Sequence, residues 1–299
     1  MRACVRRIQP DTAGHRHSAR DSIGGLVMLA DGKEWKDFFI PMPVIVAHRG
    51  DSHNYPENTL EAFASAVAMG VDVIETDIHL SKDGVPVIWH DPTLDRNTNG
   101  TGSVEKHDLA ELKELDAGYS FTKDGGNTYP FREKGIRLAT LEEALEASPS
   151  QRFNVDLKSN NIAIVRAFVD VVRKLHAQKR VIAASFRLEN LKAVRMIAPE
   201  IQTSVTTSEV LKLLIRQKLH LLPRSFPRRI IFQVPVSQGL ITVITPSFVR
   251  DMHERGAIIQ VWTINAKAEM RRLLDMGVDS VMTDDPTALI EVVREIKIT

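Results

Sequence analysis

Glu75 and Asp77 stand two residues apart in the run VIETDIHL. In a strand alternate side chains share a face, so both carboxylates point the same way. Side by side they repel, and inside a protein they need a positive partner. Asp156, in the run FNVDLK, can join them from a neighbouring strand. Three oxygen donors with no cysteine among them suit one hard divalent cation, Mg²⁺ or Ca²⁺. The alternative is a carboxylate cluster balanced by Arg49 and Lys158 without metal. His48 ends the run VIVAH and His90 the run VPVIWH. Imidazole titrates near neutrality, which makes these two the candidate acid–base pair. Arg49 and Lys158 are fixed cations that can hold phosphate oxygens. Together these groups describe an anionic, phosphate-bearing substrate bridged to a metal. His79 continues the face of Glu75 and Asp77 but is expected beyond the mouth, so it stands outside the set.

These groups meet only if the runs that carry them are strands ending at one mouth, as in an α/β barrel. The 299 residues exceed the ~250 such a barrel needs. From residue 44 onward, short β-branched runs alternate with amphipathic stretches, the pattern of βα units on a parallel sheet. The candidate strands are Val44–His48, Val71–Leu80, Val85–His90, Phe153–Leu157, Val181–Ser185, Gln202–Thr206, Ile230–Val234, Ile258–Ile264 and Asp279–Thr283. That is one too many for eight. Only Ser81-Lys82-Asp83-Gly84 joins the second run to the third. So short an Asp-Gly connection makes a hairpin, because a parallel crossover needs a dozen residues or more. Val85–His90 is therefore an antiparallel excursion after strand 2, and a TIM-type (β/α)8 barrel remains. Asn58-Thr59-Leu60-Glu61 and Thr140-Leu141-Glu142-Glu143 both look like helix-starting capping boxes. Residues 92–137 are rich in Gly, Asn, Thr and Asp and read as an insertion over the active face. Residues 1–42 read as a disordered or peripheral N-terminal extension, with Met28 and Met42 as alternative starts, and 43–299 as the barrel. The other reading of the extension docks Trp35, Phe38, Phe39 and Ile40 on the barrel.

The net charge of +1 provides no global field for nucleic acid. Cys4 is the lone cysteine, so no intramolecular disulfide can form. No apolar run approaches the ~20 residues of a membrane span. The segment after Arg6-Arg7 is too polar for a signal peptide. A cytoplasmic protein fits these features best. Between 211 and 229, Lys212, Arg216, Lys218, Arg224, Arg228 and Arg229 accompany Leu211, Leu213, Leu214, Ile215 and Leu219. The stretch reads as an ordinary outer helix with a solvated basic face, or as a weak membrane-surface contact.

Several motifs fall in a specific order. They are Ala47-His48-Arg49-Gly50, Pro56-Glu57-Asn58-Thr59, Glu75-Thr76-Asp77, Asp83-Gly84-Val85-Pro86 and His90-Asp91, then Thr93-Leu94-Asp95-Arg96 and Asn99-Gly100-Thr101-Gly102. Val261-Trp262-Thr263-Ile264-Asn265, Gly277-Val278-Asp279 and Thr283-Asp284-Asp285-Pro286 follow near the C-terminus. Over residues 44 to 296 the chain resembles the glycerophosphodiester phosphodiesterase family. The resemblance implies a metal-dependent barrel enzyme that hydrolyses small-molecule glycerophosphodiesters to glycerol 3-phosphate and an alcohol. By position, Glu75 and Asp77 correspond to metal ligands, His48 and His90 to the acid–base pair, and Arg49 and Lys158 to phosphate-holding groups. Glu57 corresponds to a supporting residue at the substrate site, Asn58 beside it reading equally as a helix cap. Trp262 corresponds to the aromatic wall of the glycerol pocket. Asp156 departs from the family's usual Glu, so direct ligation or a bridging water are both open. Ala139 replaces a usual Pro. A lysophospholipase D and a non-catalytic phosphodiester-binding barrel are the rival readings; the latter predicts loss of a site His or carboxylate, and none is missing.

Overall fold

The computed structural model describes residues 36–226 and 230–298. Cys4, Arg6, Arg7, Met28, Trp35, Arg228 and Arg229 lie outside them. The strands are β1 (Val44–His48), β2 (Val73–Leu80), β3 (Pro86–Ile88), β4 (Arg152–Leu157), β5 (Val181–Ala184), β6 (Gln202–Thr203), β7 (Ile231–Val234), β8 (Ser237–Gln238), β9 (Ile241–Thr242), β10 (Ile258–Val261) and β11 (Ser280–Thr283). The helices are α1 (Leu60–Met69), α2 (Leu109–Lys113), α3 (Leu141–Ala147), α4 (Ala163–Lys174), α5 (Leu188–Ile197), α6 (Thr207–Lys218), α7 (Pro246–His253), α8 (Lys267–Asp275) and α9 (Pro286–Ile298).

The main sheet runs β6-β5-β4-β2-β1-β11-β10-β7, all parallel. The two ends of this sequence, β6 and β7, meet through the Val205 N–H, which donates to the Ile231 carbonyl at 3.0 Å. The result is a nearly closed eight-stranded TIM-type barrel ringed by helices. As the short Asp-Gly connection requires, β3 turns back antiparallel on β2, pairing Ile78 with Ile88 and His79 with Val87. Ser81 fixes this turn, donating its hydroxyl to Asp83 (2.6 Å) and accepting from the Val85 N–H (2.9 Å). β8 and β9 form a small second hairpin that the sequence did not announce.

Alternation along β2 divides the molecule. Ile74, Ile78 and Leu80 face outward into the large barrel–helix core, while Val73, Glu75, Asp77 and His79 face the barrel axis. The interior is layered. Its base is apolar, with Val44, Val46, Val73, Ile182, Ile231, Ile258 and Met282 packed under Phe38 and Phe39. Phe38 and Phe39 are buried there, although residues 36–42 fall within the stretch read from sequence as an extension; Ile40 is exposed. Above the base lies a hydrogen-bonded layer. Gln233 donates to Asn154 (2.9 Å) and Gln260 (2.8 Å), Gln260 to Ser280 (3.2 Å), and Ser280 to the Val44 carbonyl (3.0 Å). This layer satisfies buried polar groups without charge and supports the mouth above it.

The insertion at 92–137 carries α2 and a 3₁₀ turn at Val104–Lys106, and its Leu94, Val104 and Leu112 pack with the flanking Trp89 and Leu138 in a small separate core. Thr140 starts α3 with the expected reciprocal box to Glu143, at 3.1 and 2.8 Å. At α1 the expected box is corrected. Thr59, not Asn58, is the N-cap, accepting from the Ala62 N–H at 3.2 Å. Asn58 takes a left-handed backbone, φ 59°, which turns its side chain into the site.

Candidate active site

β1, β2, β4 and the β3 return deliver their charged ends to one mouth. The parallel register sets His48 beside Glu75 and Asp77 beside Asp156. His48, Arg49, Glu75, Asp77, His90, Asp156, Lys158 and Trp262 all line a single cavity of about 400 Å³. Glu57 does not line it. Its carboxylate instead accepts from Arg49 (2.9 Å) and from Arg96 (2.6 and 3.2 Å), holding Arg49 from behind.

Each histidine is fixed by a carboxylate on Nδ1. His48 Nδ1 lies 2.6 Å from Asp284 Oδ1, and His90 Nδ1 lies 2.6 Å from Asp91 Oδ1. A carboxylate can only accept, so each Nδ1 carries a proton and the neutral ring keeps its lone pair on Nε2. Asp284 is itself held by Asn265 (2.7 Å) and Ser52 (3.3 Å), and Asp91 by Arg96. Burial works against the charged form of His48, yet Glu75, 3.8 Å from Nε2, and Asp284 carry its pKa above the ordinary value. Burial likewise opposes ionisation of Asp91, and Arg96 with His90 overcomes it, bringing its carboxyl down to about 2. His79, buried on β2, reaches the His90 carbonyl with Nε2 at 3.1 Å and fixes the backbone that carries His90.

The carboxylates are unequal. Asp77 is surrounded by donors, with Lys158 Nζ 3.0 Å from Oδ1 and Asn58 Nδ2 2.9 Å from Oδ2. Arg49 Nε lies 3.3 Å from Oδ2 without hydrogen-bond alignment. Burial would raise the Asp77 carboxyl, but Lys158 and Arg49 hold it below the ordinary range. Burial and the neighbouring Asp77 charge push Glu75 up to about 7. Burial also raises Asp156 despite Lys158 at 2.7 Å, and Asp156 Oδ1 is buried with no hydrogen-bond partner. Lys158 is raised: burial opposes its charge, and Asp156 and Asp77 more than compensate.

Glu75, Asp77 and Asp156 against Arg49 and Lys158 leave one negative charge uncompensated. A proton on Glu75 would cancel it, and a divalent cation would turn it to one net positive charge that suits an anionic phosphate. The all-oxygen donors and the orphaned Asp156 oxygen fit a hard divalent ion. Among the described residues no three such side chains converge at ligand distance, because Lys158 stands between Asp77 and Asp156.

The model of the glycerophosphoryl diester phosphodiesterase family matches residues 48–288. The chain belongs to that family. A glycerophosphodiester phosphodiesterase of Caldanaerobacter subterraneus subsp. tengcongensis is 33% identical over 261 residues, 84% of this chain and 98% of the relative. A glycerophosphoryl diester phosphodiesterase domain from a Mycobacterium tuberculosis protein superposes with a TM-score of 0.75 at 25% identity, over 85% of this chain and 99% of that one. An Oleispira antarctica phosphodiesterase, solved with its product sn-glycerol-3-phosphate, gives 0.70 at 28% identity, over 86% and 99%. On this family barrel the sequence reading missed the working parts of Asp284, Arg96 and Asn58. Asp284 and Arg96 lay inside matched motifs, and nothing local assigned them to the histidines.

Proposed function

We propose that the chain is a phosphodiesterase that hydrolyses glycerophosphodiesters to glycerol 3-phosphate and an alcohol, with His48 and His90 as its acid–base pair. The observation that carries this is the pair of imidazoles, each pinned at Nδ1 by an aspartate, on a cavity that also holds Arg49 and Lys158. Arg49 and Lys158 bind the non-bridging phosphate oxygens and orient the phosphorus between the rings. One Nε2 takes the proton of the attacking hydroxyl, and the other gives a proton to the leaving alkoxide. Trp262 packs on the carbon face of the glycerol. Glu75, Asp77 and Asp156 would hold a divalent cation, Mg²⁺ or Ca²⁺, which supplies charge stabilisation at the phosphate.

The attacking hydroxyl we favour is the substrate's own glycerol 2-hydroxyl, because a tethered group gains the orientation advantage. A cyclic phosphate then forms and is opened by water at the same histidines. A 2-deoxy substrate turned over at the normal rate would give the attack to water instead. The function itself is tested by assaying glycerophosphocholine, glycerophosphoethanolamine and glycerophosphoinositol with Mg²⁺ or Ca²⁺. Release of glycerol 3-phosphate is expected, lost on EDTA treatment and restored by the ion. Failure to turn over any of them overturns the activity, and full turnover after exhaustive chelation overturns the cation.

A further inference from the structure

Lys158 has two tasks and one ammonium. Its Nζ stands between two carboxylates, 3.0 Å from Asp77 Oδ1 and 2.7 Å from Asp156 Oδ2. The reaction proposed above needs the same Nζ on a phosphate oxygen. Glu75, Asp77 and Asp156 are all buried, and Asp156 Oδ1 has no hydrogen-bond partner. One ammonium therefore leaves this oxygen-rich cluster only partly satisfied, both in hydrogen bonds and in charge. A lysine ammonium is a compact point charge on a flexible stem, so it sits among the oxygens much as a small ion would.

Two features let the ammonium leave. The backbone of Lys158 is fixed independently of its side chain, its N–H donating to the Ile78 carbonyl at 3.0 Å. The stem can swing while β4 stays in register. A second attraction lies within reach, because the centre of the Phe186 ring is 5.3 Å from Nζ and an aromatic face draws a cation. Phe186 in turn stands edge-on to Trp262 at 6.0 Å, and all three residues line the same cavity. We propose that Lys158 is a placeholder for the divalent cation: the ion displaces its ammonium from Asp77 and Asp156, and the ammonium moves past Phe186 onto the substrate phosphate. The inference rests on the divalent-cation reading above. Charge closes at both ends of the exchange. The three carboxylates meet the ion and Arg49, three negative charges against three positive, and the single charge of a phosphodiester meets Lys158. Without the exchange, ammonium and ion would crowd the same carboxylates as like charges. Cation loading thus becomes the step that frees the lysine for phosphate.

The test reads binding on the full chain after chelation, with no substrate present. Ca²⁺ or Mg²⁺ is titrated by calorimetry into the parent, Lys158→Met and Arg49→Met. Lys158→Met should bind the ion about tenfold more tightly than the parent, equivalent to ~1.4 kcal/mol, because nothing has to be displaced. Arg49→Met removes an equal charge that does not bridge the two carboxylates, so it should change the affinity less. A second measurement needs no variant. Acetic anhydride labelling of the parent, read by mass spectrometry, should modify Lys158 faster with saturating ion than in EDTA, and sn-glycerol 3-phosphate should reverse the gain. Unchanged or weaker binding by folded Lys158→Met overturns the exchange. Equal tightening in Arg49→Met, or a labelling rate that the ion leaves unchanged, overturns it as well. If neither ion binds the parent or Lys158→Met, the cation reading falls with it.

Discussion

The two walls of the mouth are built on opposite principles. On the β1–β4 side almost every charge is matched, with His48 to Asp284, His90 to Asp91, Asp91 and Glu57 to Arg96, and Asp77 to Lys158. His48 with Asp284, Glu57 with Arg96 and Asp77 with Lys158 join distant segments, and the adjacent His90 and Asp91 are tied in through Arg96, which leaves these groups little freedom. On the α6–β9 side the surface is apolar and largely unmatched, and its main polar anchor lies at its root. There Arg195 of α5 donates to both oxygens of Glu209 at 2.7 and 3.2 Å, and Glu209 accepts from the Thr206 N–H at 2.9 Å. The contrast separates two kinds of surface. One is preorganised charge of the sort that chemistry needs, and the other an apolar wall of the sort that holds an apolar ligand.

Breaking the charged wall should have the largest effect. His48→Ala or His90→Ala should lower kcat about a hundred- to ten-thousandfold, with a melting temperature within a few degrees of the parent. An effect on KM alone would remove the ring from proton transfer.

Cutting the anchor of the apolar wall is expected to act on stability instead. Arg195→Met leaves a buried carboxylate unpaired and should cost ~3–5 kcal/mol in urea unfolding. A loss within the ~0–1 kcal/mol of surface pairs would show that α6 is held by its packing. Burial alone would raise Glu209, but Arg195 and the Thr206 amide hold it below its ordinary 4.5. Its folded pKa is thus the lower one. The stabilisation is complete above the ordinary value and lost as pH falls through the depressed one. Glu209→Gln should flatten that acid limb.

The base beneath both walls offers a control. Phe39→Ala should destabilise by roughly 3–5 kcal/mol, and a chain beginning at Met42, lacking Phe38 and Phe39, by at least as much. The folded fraction should keep its kcat. A large fall in kcat at full foldedness would mean that the base shapes the mouth.

The smallest effect tests the support behind His90. Arg96 is half exposed, so solvent weakens its pairs. Arg96→Met should lower kcat about tenfold, equivalent to ~1.4 kcal/mol, with KM little changed. An unchanged kcat would show that His79 and the backbone suffice to hold the ring.

Much of the charged wall was legible from sequence because strand alternation is local. Glu75 and Asp77 had to share a face, and the Ser81–Gly84 connection had to return β3. Thr140 and Glu143 announced their helix for the same reason. Asp284 was not legible as the partner of His48, since 236 residues separate them and only the closed barrel brings them together. Asn58 looked like a cap because its neighbour Thr59 has the same capping chemistry, and only the backbone turn at Asn58 decides between them. The β8–β9 hairpin has two residues per strand, too few to show any period. Glu57, read as a supporting residue at the substrate site, stands behind Arg49.

Neighbouring barrel strands pair in register over two residues or more except β6 and β7, where, among the described residues, one backbone bond from Val205 to Ile231 spans the gap. Val205 itself lines the cavity. A ring with one weak joint yields at that joint, so a bulky guest would spread the barrel there first. Deuterium uptake at the Val205 amide is then a strain gauge for the cavity, sensitive to the girth of its contents while the amides of β1 and β2 stay silent.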